Sequence, residues 1–292
     1  MWWIETIARG DLGNVEPGPI AVFRIVFAVS CLLKFAIETL RGHFWYFEED
    51  SFLYTLDSWQ GRLPLISPVV YRCLYVVKHP LALCLALGVC SQLASILLFV
   101  WFVVEARIYF KFHVSLFALV AFVLGLGPAG HKTYALLGEG PMVVDGFQQT
   151  LLVLTFAIVY LATALRKLRS PHYLSGKVIY ETLRYLNDEG PMRKYADGYY
   201  PRWFRAQFVL ASDEVLNRRW GPLMRATVLL HVAIPVLMSF SETWWVGASL
   251  AVLTHGAYTL AYPITLGHFS LVMIASCLVF ADPATLSIYL PL

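Results

Sequence analysis

The chain reads as an all-α protein, a polytopic transmembrane helix bundle of about eight spans with one amphipathic helix lying in the interface. Three observations predict this. Of the 292 residues, 59% are hydrophobic and only 14% are charged, against about 25% charged residues in ordinary soluble domains. Mean hydropathy is +0.64. Apolar runs recur along nearly the whole length and leave no stretch for a separate soluble domain of ordinary size. The expected organisation is one membrane domain over residues 1–292, with a polar insertion at 166–220. A net charge of +3 is small and gives no reason to expect nucleic acid as a partner.

Residues 1–17 are polar and carry Glu5, Asp11 and Glu16. The first apolar run, about Pro19 to Ile37, has no small-residue cleavage site and is expected to stay as an anchor. It carries Arg24, and a charge there costs ~2.5–3.5 kcal/mol on insertion scales, so Arg24 should face protein or water. Residues 38–64 combine Phe44, Trp45, Tyr46 and Phe47 with Glu48, Glu49 and Asp50, an aromatic cluster beside acids that reads as an interfacial loop. The apolar region from Ser67 to Arg107 is too long for one span, since ~20 residues cross a bilayer. It splits near Gly88–Ser91 into a hairpin whose first helix is expected to be interrupted at Lys78-His79-Pro80.

A span over about His113–Leu126 ends at Gly125, Gly127 and Pro128, all helix-stopping signals. A Gly-rich turn region follows, and then a span over about Phe147–Leu165. Within the insertion, Ser170-Pro171 opens a segment with Leu174, Val178, Leu183 and Leu186 at helical spacing, which predicts an amphipathic interfacial helix over Ser170–Asn187. Spans over about Pro222–Phe240, Trp244–Tyr262 and Leu266–Phe280 close the chain. The total is eight, or seven if residues 67–80 lie in the interface. The insertion is basic and residues 38–66 are net acidic; the positive-inside bias puts the insertion in the cytoplasm only with seven spans.

Cys31, Cys73, Cys84, Cys90 and Cys277 lie in or beside apolar runs with no CxxC, and they read as small buried apolar residues. No GxSxG, HExxH or P-loop is present, and no metal site is predicted. Candidate chemistry therefore rests on isolated ionisable groups. His255 sits about eleven residues into its span, ~16 Å deep at 1.5 Å per residue, and must face helices or a water-filled cavity. Such a ring serves either a site or a backbone carbonyl between helices. His113 opens its helix beside Lys111. His231, also within a span, is read as core packing. Lys167 ends an apolar helix beside Arg166, where cations commonly anchor at the headgroups.

The string Val159–Leu168 followed by Tyr173-Leu174-Ser175-Gly176 resembles the membrane domain of vitamin K-dependent γ-glutamyl carboxylases, found in bacteria as the HTTM (horizontally transferred transmembrane) family. The resemblance runs in order along most of the chain. Arg24-Ile25-Val26-Phe27 is similar to the first-helix motif and Leu85-Ala86-Leu87-Gly88 to the following turn. His113-Val114-Ser115-Leu116-Phe117-Ala118-Leu119-Val120-Ala121-Phe122 resembles the run whose histidine supports catalysis. His255 to Ala281, with Gly267-His268-Phe269-Ser270-Leu271-Val272-Met273, resembles the last helix pair.

The resemblance implies an integral membrane enzyme, in the bacterial inner membrane, in which Lys167 deprotonates a reduced quinone (vitamin K hydroquinone or menaquinol). Oxygen then adds, and the strong base so formed opens a glutamate γ-carbon to carbon dioxide. It further implies His113 and His255 as catalytic partners, with Arg24, Arg166, Tyr160 and Tyr258 binding the cofactor. A lysine acts as a base where desolvation or a neighbouring cation favours its neutral form. A reactive base also needs a site that excludes water. Animal carboxylases carry a large soluble domain that docks the protein substrate. This sequence has no counterpart of it, so a peptide or small-molecule substrate is expected, with membrane lipid and a membrane or secreted protein as partners. Two other readings stay open: a non-catalytic or quinone-redox subunit in peptide-toxin maturation or immunity, and a small-anion carrier using Arg24 and Arg225.

Overall fold

Burial in this protein is inverted relative to a water-soluble one. Arg24 and Lys78 are wholly enclosed, while Leu229, Leu253, Leu260, Ile158 and Val69 are each more than 60% exposed. Aliphatic side chains facing outward and charges facing inward are what a hydrocarbon solvent selects. The computed structural model describes residues 14–15, 18–42, 67–108, 112–127, 144–179, 181, 201–206 and 212–281. They fall into two compact units, residues 14–155 and 156–281.

In the first unit a two-residue antiparallel pairing joins β1 (Asn14–Val15) to β2 (Val144–Asp145). The helices are α1 (Gly18–Leu40), α2 (Pro68–Leu87), α3 (Ser91–Ile108), α4 (Phe112–Leu126) and the start of α5 (Phe147–Leu168). Pro68 at the first helical position pre-sets φ for α2. Gly88, left-handed at φ 73°, ends it with its N–H on the Leu85 carbonyl. Consecutive helices α1 to α4 pack side by side around Phe23, Phe27, Phe35, Phe102 and Phe117. Gln148 at the start of α5 donates to the Val123 and Leu124 carbonyls, satisfying acceptors at the end of α4.

The second unit takes the rest of α5, then α6 (Pro171–Leu174), α7 (Arg202–Ala206), α8 (Asp213–Met238), α9 (Trp244–Ala261) and α10 (Pro263–Phe280). Ser170 caps α6 by accepting from the Tyr173 N–H, and Ser212 caps α8 by accepting from Val215. At Gly247 a Cβ would sit 2.7 Å from the Met238 nitrogen, so α8 and α9 close on a glycine. The Trp244 indole donates 2.9 Å to the Cys277 carbonyl and fastens α9 to α10.

Among the described residues, eight long helices answer to the eight expected spans. Four of them, Gly18–Leu40, Val69–Leu87, Phe147–Leu168 and Asn217–Met238, are long and apolar enough to cross a membrane.

Several expectations are corrected. Helix α2 is not interrupted at Lys78-His79-Pro80 but continues through Pro80. Packing against α1 and α3 and an ion pair at Lys78 hold it across the missing donor. The amphipathic helix expected over Ser170–Asn187 breaks at Ser175–Gly176, with Gly176 left-handed at φ 81°; its course beyond Glu181 lies outside the described residues. The first helix runs past Ile37 to Leu40, which draws Glu38 out of the expected loop and buries it. Cys73 and Cys90 are exposed rather than buried.

That extra turn of α1 completes a chain of charges inside the first unit. Lys34 donates to Glu38 and to Glu105 of α3. The other Glu38 oxygen takes Lys78 of α2 at 2.7 Å. The Lys78 ammonium lies 3.6 Å from the Tyr75 ring centroid and 4.5 Å from those of Phe35 and Trp101. Three helices are thereby joined by buried charges that compensate one another.

Candidate functional site

The second unit assembles a polar cluster from the buried stripes of three helices. On α5 the stripe runs Val153, Phe156, Tyr160, Ala164, and Lys167 follows Tyr160 by seven residues, two turns along the same face. On α8 it runs Met224, Thr227, Val228, His231, Ile234. On α9 it runs Gly247, Ala251, Thr254, His255, with Tyr258 one turn further.

Lys167 is half-buried, and its direction distinguishes it from its neighbours. Arg166 and Arg169 are exposed, whereas the Lys167 amine turns inward. Its Nζ donates to the Tyr258 hydroxyl at 3.2 Å and lies 3.4 Å from His231 Nε2. The ring centroids of Tyr173 and Tyr258 are 4.9 and 5.3 Å away, close enough for both π faces to attract the cation. His231 is fixed by its own helix, because Nδ1 lies 2.5 Å from the Thr227 carbonyl. A carbonyl only accepts, so Nδ1 carries the proton and Nε2 of the neutral ring is an acceptor.

One turn deeper, Tyr160 Oη and His255 Nε2 are 3.0 Å apart. Both residues are almost completely buried, and His255 Nδ1 has no hydrogen-bonding partner among the described residues. The rings of His255 and Tyr258 meet edge to face at 5.6 Å, and those of Tyr160 and His231 at 5.8 Å. From outside the spans, Tyr173 of α6 closes the cluster, its hydroxyl 2.7 Å from Thr227 Oγ1. Burial pushes the Tyr173 phenol above its ordinary pKa, and its bond to Thr227 opposes that shift.

Of the residues expected from sequence, Lys167, Tyr160, His255 and Tyr258 are brought together here. Arg166 lies on the exposed side of α5. His113, half-buried in the first turn of α4, and the fully enclosed Arg24 of α1 belong to the first unit.

His231 is buried, as its reading as core packing expects, and its Nε2 also lies 3.4 Å from the Lys167 amine. Tyr173 and Thr227 were missed. A signal existed for His231, since Thr227 and His231 stand four apart on the apolar stripe of α8, the spacing at which a histidine reaches its own helix carbonyl.

A family model, the HTTM domain, matches residues 13–284, across both units. The chain belongs to the HTTM domain family. No curated protein and no solved structure matches it. For this HTTM protein, then, membership agrees with the membrane helices of both units.

Proposed function

We propose that this HTTM protein is an integral membrane enzyme of the vitamin K-dependent carboxylase type, with Lys167 as the base toward a quinol-type cofactor and a peptide or small molecule as the substrate. The observation that carries the reading is the inward Lys167 amine, held by Tyr258 and His231 and flanked by two tyrosine rings. A lysine serving as a headgroup anchor extends its ammonium toward water, as the exposed neighbours Arg166 and Arg169 do. The bacterial cell membrane is the proposed location.

The residues present fit a reduced quinone. His255 Nδ1 is a buried polar atom without a hydrogen-bonding partner among the described residues, and a bound hydroxyl would satisfy it. Lys167, Tyr258 and His255 would hold such a group, and Tyr160 orients His255 through Nε2. When bound, a reduced quinone supplies an acidic hydroxyl and reducing equivalents for reaction with oxygen. The chain supplies the acceptor for that hydroxyl proton, at Lys167 Nζ. Tyrosine and histidine rings around the amine exclude bulk water, which strengthens hydrogen bonds to developing negative charge.

The test is mass spectrometry of quinol incubated with purified protein in mild detergent, wild type against Lys167→Ala and Lys167→Arg. The expected result is conversion to an epoxide by wild type and none by Lys167→Ala, with helix content unchanged. Full conversion by Lys167→Ala would sink the proposal. Quinol bound but unconverted by wild type would favour a redox or structural subunit.

A further inference from the structure

A neutral lysine amine has one lone pair and two N–H groups, and as a base it works only if the lone pair is free. In this cluster both neighbouring acceptors are specified. The Thr227 carbonyl takes the Nδ1 proton of His231, which leaves Nε2 of the neutral ring with a lone pair and no hydrogen, facing Lys167 Nζ at 3.4 Å. The Tyr258 oxygen accepts from the same Nζ at 3.2 Å. Two N–H groups thus have two acceptors. The third direction at nitrogen is the one without a hydrogen-bond acceptor in this set.

We propose that His231 is a positioning residue which, together with Tyr258, commits both N–H groups of neutral Lys167 and thereby presents its lone pair to the incoming acid. The inference rests on Lys167 acting as the base. In the step it serves, the acid O–H proton moves to Lys167 nitrogen and the bonding pair stays on oxygen. His231 takes no proton from substrate; it decides where the amine points. Thr227 has a second part in this, because its hydroxyl donates to the Met224 carbonyl at 2.7 Å and lies beside the Tyr173 hydroxyl. The carbonyl that sets the His231 tautomer therefore belongs to a residue anchored on its side-chain end as well.

Two measurements separate this inference from the reaction it serves. The first is nitrogen-15 histidine NMR of the protein in lipid bilayers. One histidine, identified by its loss in His231→Gln, is expected to be neutral with the proton on Nδ1. Its Nε2 resonance is expected to move in Lys167→Met, where the donor is gone. A ring protonated on Nε2 or on both nitrogens, or an Nε2 signal indifferent to Lys167→Met, overturns the proposal.

The second is quinol turnover. His231→Leu is expected to lower kcat on the order of 100-fold, the cost of a misplaced reacting group. KM is expected to stay within about twofold, since an interaction that matters only in the transition state leaves substrate affinity alone. His231→Gln, which keeps an acceptor oxygen within reach, is expected to recover most of the loss. Turnover of His231→Leu equal to wild type also overturns the proposal. If wild type converts no quinol while the NMR signature is present, the proposed reaction falls and the placement of the amine stands.

Discussion

Glu38→Gln isolates what the buried charge chain of the first unit contributes. The substitution keeps shape and removes one negative charge from between two lysines. Lys34 retains Glu105, but Lys78 loses the carboxylate that accepts from it at 2.7 Å. Lys78 is wholly enclosed, so its ammonium would be left buried without a counter-ion, with a neutral amide oxygen and three aromatic faces as its partners.

Removing one partner of a buried pair costs ~3–5 kcal/mol. Neutralising the amine instead costs ~4.6 kcal/mol at pH 7, taking the ordinary lysine pKa, which sets a ceiling. Desolvated cation–π contacts recover about 2 kcal/mol for an ammonium, so the loss should lie near the lower end, ~3 kcal/mol. Equilibrium unfolding in mixed micelles, followed by tryptophan fluorescence, measures it.

The double variant Glu38→Gln/Lys78→Met removes the stranded charge and leaves the Lys34–Glu105 pair. It should therefore regain most of the lost stability, because an apolar side chain is at home where Lys78 sits. The reasoning is refuted if Glu38→Gln lies within about 0.5 kcal/mol of wild type. It is refuted equally if the double variant is no more stable than the single one.

Two further outcomes are expected. Gly247→Ala should destabilise the second unit by ~1–3 kcal/mol, as overpacking does, because the new Cβ meets the Met238 nitrogen at 2.7 Å and the Ile234 carbonyl oxygen at 3.1 Å; the same unfolding titration reads it. Tyr173→Phe keeps the ring beside Lys167 but loses the hydroxyl contact to Thr227, for about 1 kcal/mol. Its pH dependence has a defined sign. The phenol pKa is raised in the folded state, so the associated stability is present below the ordinary tyrosine pKa of about 10 and is lost as pH rises through the folded value. Wild type should therefore lose stability more steeply than Tyr173→Phe above about pH 10, and parallel pH profiles would contradict this.

The sequence by itself determined the class of protein and the order of its helices. Apolar runs with few charges admit only helices in lipid, because every backbone donor and acceptor must be satisfied within the segment. Gly88 and the Ser170-Pro171 start mark helix ends through local chemistry that needs no tertiary partner, whereas the helix expected from about Pro222 begins at Asp213. The resemblance that runs from Arg24 to Ala281 is borne out by the family match over residues 13–284. His255 stood out for a related reason, since a polar ring deep in an apolar run is costly and points to protein rather than lipid; Lys167, Tyr160 and Tyr258 were singled out by the resemblance.

Partnership was not legible. Glu38 looked like part of a loop because the four residues after Ile37 include two charges, Glu38 and Arg41, and a threonine. Only the packing of α1 against α2 supplies Lys78 and makes one more helical turn favourable. His231 looked like any buried histidine until α5 placed an amine 3.4 Å from it, 64 residues away in the chain. Pro80 looked like a break until neighbouring helices held both sides of it. Local propensity sets where a helix starts and which face is apolar. Which buried charge meets which is set by long-range packing, and periodicity along a single helix carries no record of that.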